Sequence, residues 1–214
     1  TIEKFKKFYP KNVIKSATFF NKETFFKLSK QKKAKIITSI AVFYDVANPN
    51  IFVKNVKEIL VKDGCWIIEQ SYFPFLIKNN AYDSICHEHI TYFMFHQINL
   101  ILDRYDLEVF DIYTNEMNGG SIRLYISHKN SKYKIKTRKL QKIVSMEKKI
   151  LKNPSIAFNK FKKNINQSKD SLVKLIKTLI SKNKNIHIYG ASTKGNVILQ
   201  FCNINNKLIK YAAD

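Results

Sequence analysis

The stretch Ala34 to Gln70, "AKIITSIAVFYDVANPNIFVKNVKEILVKDGCWIIEQ", decides the fold. Ala34 to Phe43 is a largely apolar run that reads as a buried strand. Asn48-Pro49 is a helix start, because Asn can cap a helix and Pro suits its first turn. From Ile51 to Val61, the apolar Ile51, Phe52, Val53, Val56, Ile59 and Leu60 recur at helical spacing. Asp63-Gly64 is expected to turn the chain, and Cys65 to Gln70 to form a second buried strand. Strand, helix and strand with short joins predict a βαβ unit and a parallel sheet.

Downstream, a helix is expected near Met94 to Tyr105 and a strand at Glu108 to Tyr113. Asn118-Gly119-Gly120 should turn the chain into Ser121 to Ser127, whose alternation predicts an antiparallel partner for that strand. Residues 129–153 are lysine-rich and partly helical, and Pro154 interrupts them. Between Ser155 and Ser181, the apolar Phe161, Ile165, Leu172, Leu175, Ile176 and Leu179 mark a long amphipathic connector with a basic outer face. Ile186 to Cys202 reads as a short strand, a small-residue turn and an apolar helix, and Leu208 to Ala213 as a last strand.

The 214 residues carry a net charge of +22, which invites a nucleic-acid partner. Arg104, Arg123 and Arg138 are the only arginines, however, and lysine is spread along the whole chain. That pattern reads as compositional bias and argues against a nucleic-acid role, because readers of bases and phosphates favour the arginine fork. Cys65, Cys86 and Cys202 are odd in number and far apart, so they predict no disulfide framework and no structural zinc knot, and they fit a reducing cytoplasm. No apolar run reaches the length of a membrane span.

Chemistry concentrates in Tyr82 to Phe93, "YDSICHEHITYF". The zinc-protease pattern HExxH fails here, because Thr91 follows His87 at the fourth place. Cys86 and His89 lack a second ligand pair, so no metal is expected. His87, Glu88 and His89 are consecutive and cannot all hide on one apolar face. A polar cluster after a sheet strand lies where open α/β folds place active sites, and imidazole beside carboxylate suits acid–base work. Gly190-Ala191-Ser192-Thr193-Lys194-Gly195 joins a strand to a helix, and suits either phosphate binding or a plain tight turn. Asn118 to Arg123 reads by itself as a structural hairpin turn with an outward arginine.

"SYFPFLIKNNAYDSICHEHITYF", "NGGSIRLYI" and "IYGASTKGNVILQFC", in that order, resemble the SAM-dependent sugar C-methyltransferases, which act on nucleotide-linked keto-sugars. The resemblance implies an α/β fold: the second half of a Rossmann-like class I methyltransferase sheet with an antiparallel C-terminal hairpin, then the start of a second Rossmann-like C-terminal domain. It divides the chain into a partial methyltransferase domain (1–128), a basic helical connector (129–185) and the start of a substrate domain (186–214). The family's zinc cysteines, first sheet strand and glycine-rich loop have no counterpart, so the chain, which begins at Thr1, is expected to be a piece of a longer cytoplasmic protein. For that reason the fragment is expected to bind S-adenosylmethionine weakly or not at all.

By the same resemblance, His89 is the base that removes a proton next to a sugar ketone, and Glu88 orients the ring or sits near the enolate. Cys86 stands where members of the antibiotic-sugar branch carry Tyr, and Asp45 where they carry His. Ile40, Ala41 and Asp45 would line the methyl-donor side. Tyr82, Asn118 and Arg123 would reach the substrate, and Ser192, Thr193 and Lys194 would hold its diphosphate. The alternative function is a non-catalytic basic module that binds nucleic acid or another acidic partner. The sequence leaves the sugar, the carbon methylated and the oligomeric state open.

Overall fold

The structure, a computed structural model, describes residues 2–213, so the outermost residues of the first and last expected segments, Thr1 and Asp214, lie outside it. Among the described residues there are eight α-helices and six strands. They are α1 (Ile2–Phe5), α2 (Lys22–Leu28), β1 (Ala34–Ile40), α3 (Pro49–Ile59), β2 (Leu60–Ser71), α4 (Phe73–Lys78), α5 (Phe95–Asp103), β3 (Leu107–Asn115), β4 (Ser121–His128), α6 (Thr137–Lys152), α7 (Pro154–Ser181), β5 (His187–Tyr189), α8 (Thr193–Phe201) and β6 (Tyr211–Ala213).

The main sheet has the order β1-β2-β4-β3. β1 and β2 are parallel and joined through α3, as the opening stretch predicts. β4 inserts antiparallel between β2 and β3, pairing Glu69 with Arg123 on one side and Tyr113 with Arg123 on the other. This is the expected parallel sheet closed by an antiparallel hairpin. Asn48 caps α3 by accepting the Ile51 N–H at 3.1 Å, and Pro49 opens the helix.

Two expectations around this unit are corrected. Asp63-Gly64 does not reverse the chain: β2 runs from Leu60 through it, and the register against β1 slips between Ala34 and Ile36. Val61 to Gly64 stand opposite the single Lys35, an irregularity in the pairing in which a Cβ on Gly64 would come within 2.6 Å of the Leu60 side chain. β1 stops at Ile40 and is not fully buried; Ile36 is 65% exposed and Ile40 52%. It is the edge of the described sheet, and Ile36 and Ile40 lie on an open face there.

The other face holds the core. Trp66 and Ile68 of β2, Ile122, Leu124 and Ile126 of β4, and Val109 and Ile112 of β3 lie on it. Val53 and Val56 of α3, Ile98 and Leu102 of α5, and Ile143 of α6 pack against them. α6 is tied down by one buried carboxylate. Glu147 accepts hydrogen bonds from the Tyr72 hydroxyl (2.5 Å) and from the Phe95 (2.6 Å) and His96 (3.0 Å) backbone N–H groups at the start of α5. A helix N-terminus has free N–H donors and a positive dipole end, so a buried carboxylate is well satisfied there.

The long helix α7 serves two clusters. Phe158 meets Phe73 with ring centroids 6.0 Å apart, and Ile176 joins a second core with Cys202 and Ile204. Leu172 belongs to that stripe, but Leu175 points to solvent, against expectation, because the buried stripe is narrower than the apolar pattern. β5 and β6 are parallel neighbours across α8, a second βαβ unit, although the last strand is shorter than expected and starts only at Tyr211.

Candidate active site

The polar stretch Tyr82 to Phe93 forms most of the crossover from β2 to α5. Tyr82–Ser84 makes one 3-10 turn and the segment then runs irregularly to Met94. Its position is fixed by backbone bonds at both sides. The Thr91 N–H donates to the Tyr44 carbonyl at 3.0 Å, and the Phe73 N–H to the Phe93 carbonyl at 3.2 Å. Tyr44 belongs to the 3-10 turn Phe43–Asp45 that follows β1, so the loop is drawn to the carboxyl end of the parallel strands.

His89 is half-buried there. Its Nδ1 lies 2.7 Å from the Ser84 carbonyl oxygen. A carbonyl can only accept, so Nδ1 carries the hydrogen, and the neutral ring keeps its lone pair on Nε2. The ring rests against the edge of Tyr44, centroids 4.6 Å apart, with Tyr92 at 6.3 Å. The Tyr92 hydroxyl also donates to the Ser84 carbonyl, at 3.3 Å. The Ser84 hydroxyl is buried and has no partner among the described residues.

Glu88 is exposed, and among the described residues it accepts no hydrogen bond from the His89 ring; the Ser84 carbonyl orients the ring instead. Partial desolvation raises the Asp45 carboxyl above its ordinary value, His89 pulls it down, and Glu88 pushes it up again. Asp45 therefore sits on the base's side of the site. Ile40 and Ala41 lie at the end of β1, where the Ala41 N–H donates to the Glu69 carbonyl at 2.8 Å and Ala41 takes a left-handed φ of 53°. Ile40 and Ala41 are both exposed, an open apolar wall beside the edge of the sheet.

Cys86 lines a cavity of about 490 Å³ between this loop and α8, together with Ile85, His87, Thr193, Asn196 and Phe201. Of the three residues expected to hold a diphosphate, Thr193 faces that cavity. Ser192 is engaged in capping α8, its hydroxyl accepting the Gly195 N–H at 3.1 Å. Lys194 is half-buried on the first turn of α8.

The remaining expected residues lie away from His89. Tyr82 packs on Phe201 with centroids 5.0 Å apart, and its hydroxyl lies 3.9 Å from the Cys202 sulfur. Burial, then Cys202, raises its phenol above the usual value. Arg123 is not free on a turn: it lies within β4, pairs with Glu69 at 2.5 Å and faces the Tyr113 ring. Asn118 is exposed in the left-handed turn, φ 55°. Among the described residues no cluster of three His, Cys, Asp or Glu could hold a metal. Tyr44, Ser84 and Tyr92 carried no signal in the sequence, since each reaches His89 only through the folding of the loop.

Parts of the chain are similar to known proteins. Residues 116–214 match the C-methyltransferase C-terminal domain. The C-methyltransferase NovU of Streptomyces niveus is 23% identical over 181 residues, which cover 85% of this chain and 43% of NovU, so the chain spans less than half of that relative. Two solved structures overlap about half of the chain: M1.HpyAVI with SAM (14% identical, TM-score 0.33, 52% of this chain and 50% of that one), and the plantazolicin methyltransferase BpumL with SAH and a substrate analogue (12%, 0.34, 56% of each). The chain is thus similar to the C-methyltransferase C-terminal domain over residues 116–214 and, along most of its length, to NovU.

Proposed function

We propose that the full-length protein is a SAM-dependent C-methyltransferase that deprotonates a carbon next to a ketone of a nucleotide-linked sugar and methylates that carbon. The observation that carries the reading is the Nδ1 bond of His89 to the Ser84 carbonyl, which leaves Nε2 as a hydrogen-bond acceptor at the carboxyl end of the sheet. S-adenosylmethionine, when bound, supplies an electrophilic methyl group. The exposed turn at Ile40, Ala41 and Asp45 would form one wall for it, an arrangement its apolar surface and single carboxylate fit.

His89 Nε2 takes the proton from the substrate carbon, and the C–H electron pair moves toward the ketone oxygen. Asp45, whose carboxyl interacts with His89, would stabilise the imidazolium that results. Cys86, His87 and Thr193 bound the cavity in which the sugar would lie, and the start of α8 with Lys194 would face its diphosphate. Asn118 and Arg123 are assigned no direct contact; Arg123 instead braces β2 to β4 through Glu69.

The test is methyl transfer from labelled SAM by the full-length protein, with a thymidine-diphosphate-linked 4-keto hexose as the probe. His89→Ala should abolish transfer and leave SAM binding intact. Full activity in that variant would overturn the assignment of the base.

A further inference from the structure

A base can pull a proton from beside a ketone only if something holds the charge that appears on the ketone oxygen. Three phenols surround the His89 loop: Tyr44, Tyr82 and Tyr92. Two are committed elsewhere. The Tyr92 hydroxyl donates to the Ser84 carbonyl, and the Tyr82 hydroxyl meets Cys202. Cys86, at the cavity wall with His87, Thr193, Asn196 and Gln200, has a thiol, which is a weak donor.

Tyr44 differs from these. Its ring is fixed on one side by the core around Phe43 and on another by the edge contact with His89, centroids 4.6 Å apart. Its backbone carbonyl is held by the Thr91 N–H at 3.0 Å. Its hydroxyl makes no hydrogen bond among the described residues, yet it is not one of the buried polar atoms left without a partner. It is an anchored donor that is not sealed in the core, on a ring that lies against the base.

We propose that Tyr44 is a catalytic residue that donates a hydrogen bond to the ketone oxygen as His89 removes the neighbouring proton. The assignment rests on the reading of His89 as the base. In the step, His89 Nε2 gains the proton, the C–H pair becomes the C=C bond of an enolate, and the C=O π pair moves onto the oxygen facing Tyr44. When the carbonyl re-forms, the C=C pair makes the new carbon–methyl bond. The sulfur–methyl pair stays with sulfur, and His89 gives its proton to solvent. Tyr44 keeps its own proton throughout. Burial first, then the Asp45 carboxylate and the Cys86 thiol, holds its phenol above the usual value, so it remains a donor near neutral pH.

The experiment uses the full-length protein and the same keto hexose probe, comparing wild type, Tyr44→Phe, and a protein with 3-fluorotyrosine at position 44. Phe keeps the ring contacts and removes only the donor. It should lower kcat about 100-fold or more, the size of effect seen when an oxyanion donor is lost, with KM nearly unchanged. Fluorotyrosine keeps the fold and the donor but is a more acidic phenol, so it should restore most of kcat and move the alkaline limb of the pH profile downward. Asp45, Cys86 and His89 face this phenol, and their contributions are shared by both proteins. A Tyr44→Phe enzyme within five-fold of wild type, while His89→Ala is dead, would overturn the role of Tyr44 and leave the base standing. An unmoved alkaline limb with fluorotyrosine would overturn it as well. A wild type inert on the keto hexose would overturn both readings together.

Discussion

His89 and Ser84 are joined by a 2.7 Å contact from the imidazole Nδ1 to a backbone carbonyl. That contact sets the tautomer, and the tautomer decides what the ring can do. Nitrogen NMR on the neutral form of the His89 ring should show it protonated at Nδ1, with Nε2 bearing the lone pair. A ring protonated at Nε2 would contradict the geometry. Replacing Ser84 by Ala keeps the carbonyl, so the tautomer should survive that substitution. The change also removes a buried hydroxyl that has no partner and should cost little stability.

Glu147 is the second relationship with a measurable consequence. It is 2% exposed and satisfies two backbone donors and one phenol. Glu147→Ala leaves all three without a partner, and a loss of about 3–5 kcal/mol is expected from breaking a buried charged network. Tyr72→Phe removes one bond and should cost about 1.5–3 kcal/mol, the range for a hydrogen bond to a charged group. Urea midpoints of the full-length protein and both variants check the order. A Glu147→Ala protein as stable as wild type would contradict it.

The same pair predicts a pH dependence. Burial first, then the bond to Glu147 and its charge, raises the Tyr72 phenol far above its ordinary value of 10.0. The folded protein keeps a proton that the unfolded chain releases above about pH 10. The contribution is therefore present in full below pH 10. It is lost as pH climbs further, by up to about 1.4 kcal/mol per unit for this one group. Unfolding at pH 9, 10 and 11 should show a steeper decline for wild type than for Tyr72→Phe. Parallel declines would mean that Tyr72 ionises as readily in the fold as outside it.

The three left-handed residues at the β3–β4 turn are fixed by their neighbours. A Cβ on Gly120, at φ +120°, would lie 2.4 Å from the Cβ of Phe75. Gly190 has a similar φ of +105°, but nothing lies within 4 Å of a Cβ placed there. Gly120→Ala carries both backbone strain and overlap, whereas Gly190→Ala carries backbone strain alone, of order 1–3 kcal/mol. Adding overpacking to that strain should make Gly120→Ala worse by about another 1–3 kcal/mol. Equal thermal midpoints for the two variants would show that the turn yields to the added methyl group.

What was legible in the sequence follows the range of the forces involved. The βαβ unit, the Asn48 cap and the Asn118-Gly119-Gly120 turn depend on neighbours in the chain, and all appear as read. Asp63-Gly64 misled because the same local signal suits a turn and an irregular stretch of strand, and β2 carries on through it in its pairing with β1. The polar loop could be picked out from Cys86, His87, Glu88 and His89, but not the Tyr44 ring that meets it. Glu147 looked like one more charged residue in a lysine-rich helix. Its burial depends on Tyr72, 75 positions away, and on the first turn of α5.

Tyr82 separates a residue that shapes the site from one that touches substrate. By resemblance it was a substrate contact, yet its ring leans on Phe201 and its hydroxyl meets Cys202. Tyr82→Phe keeps the ring and removes a weak bond to sulfur, so kcat and KM should stay within about three-fold of wild type, a change below 1 kcal/mol. Tyr82→Ala removes the ring that seats α8 against the loop, and with it one support of the cavity wall at Thr193 and Cys86. It should raise KM for the keto hexose ten-fold or more while leaving SAM binding unchanged. If Tyr82→Phe alone raises KM that far, the hydroxyl reaches the sugar and the contact with Cys202 gives way when substrate binds.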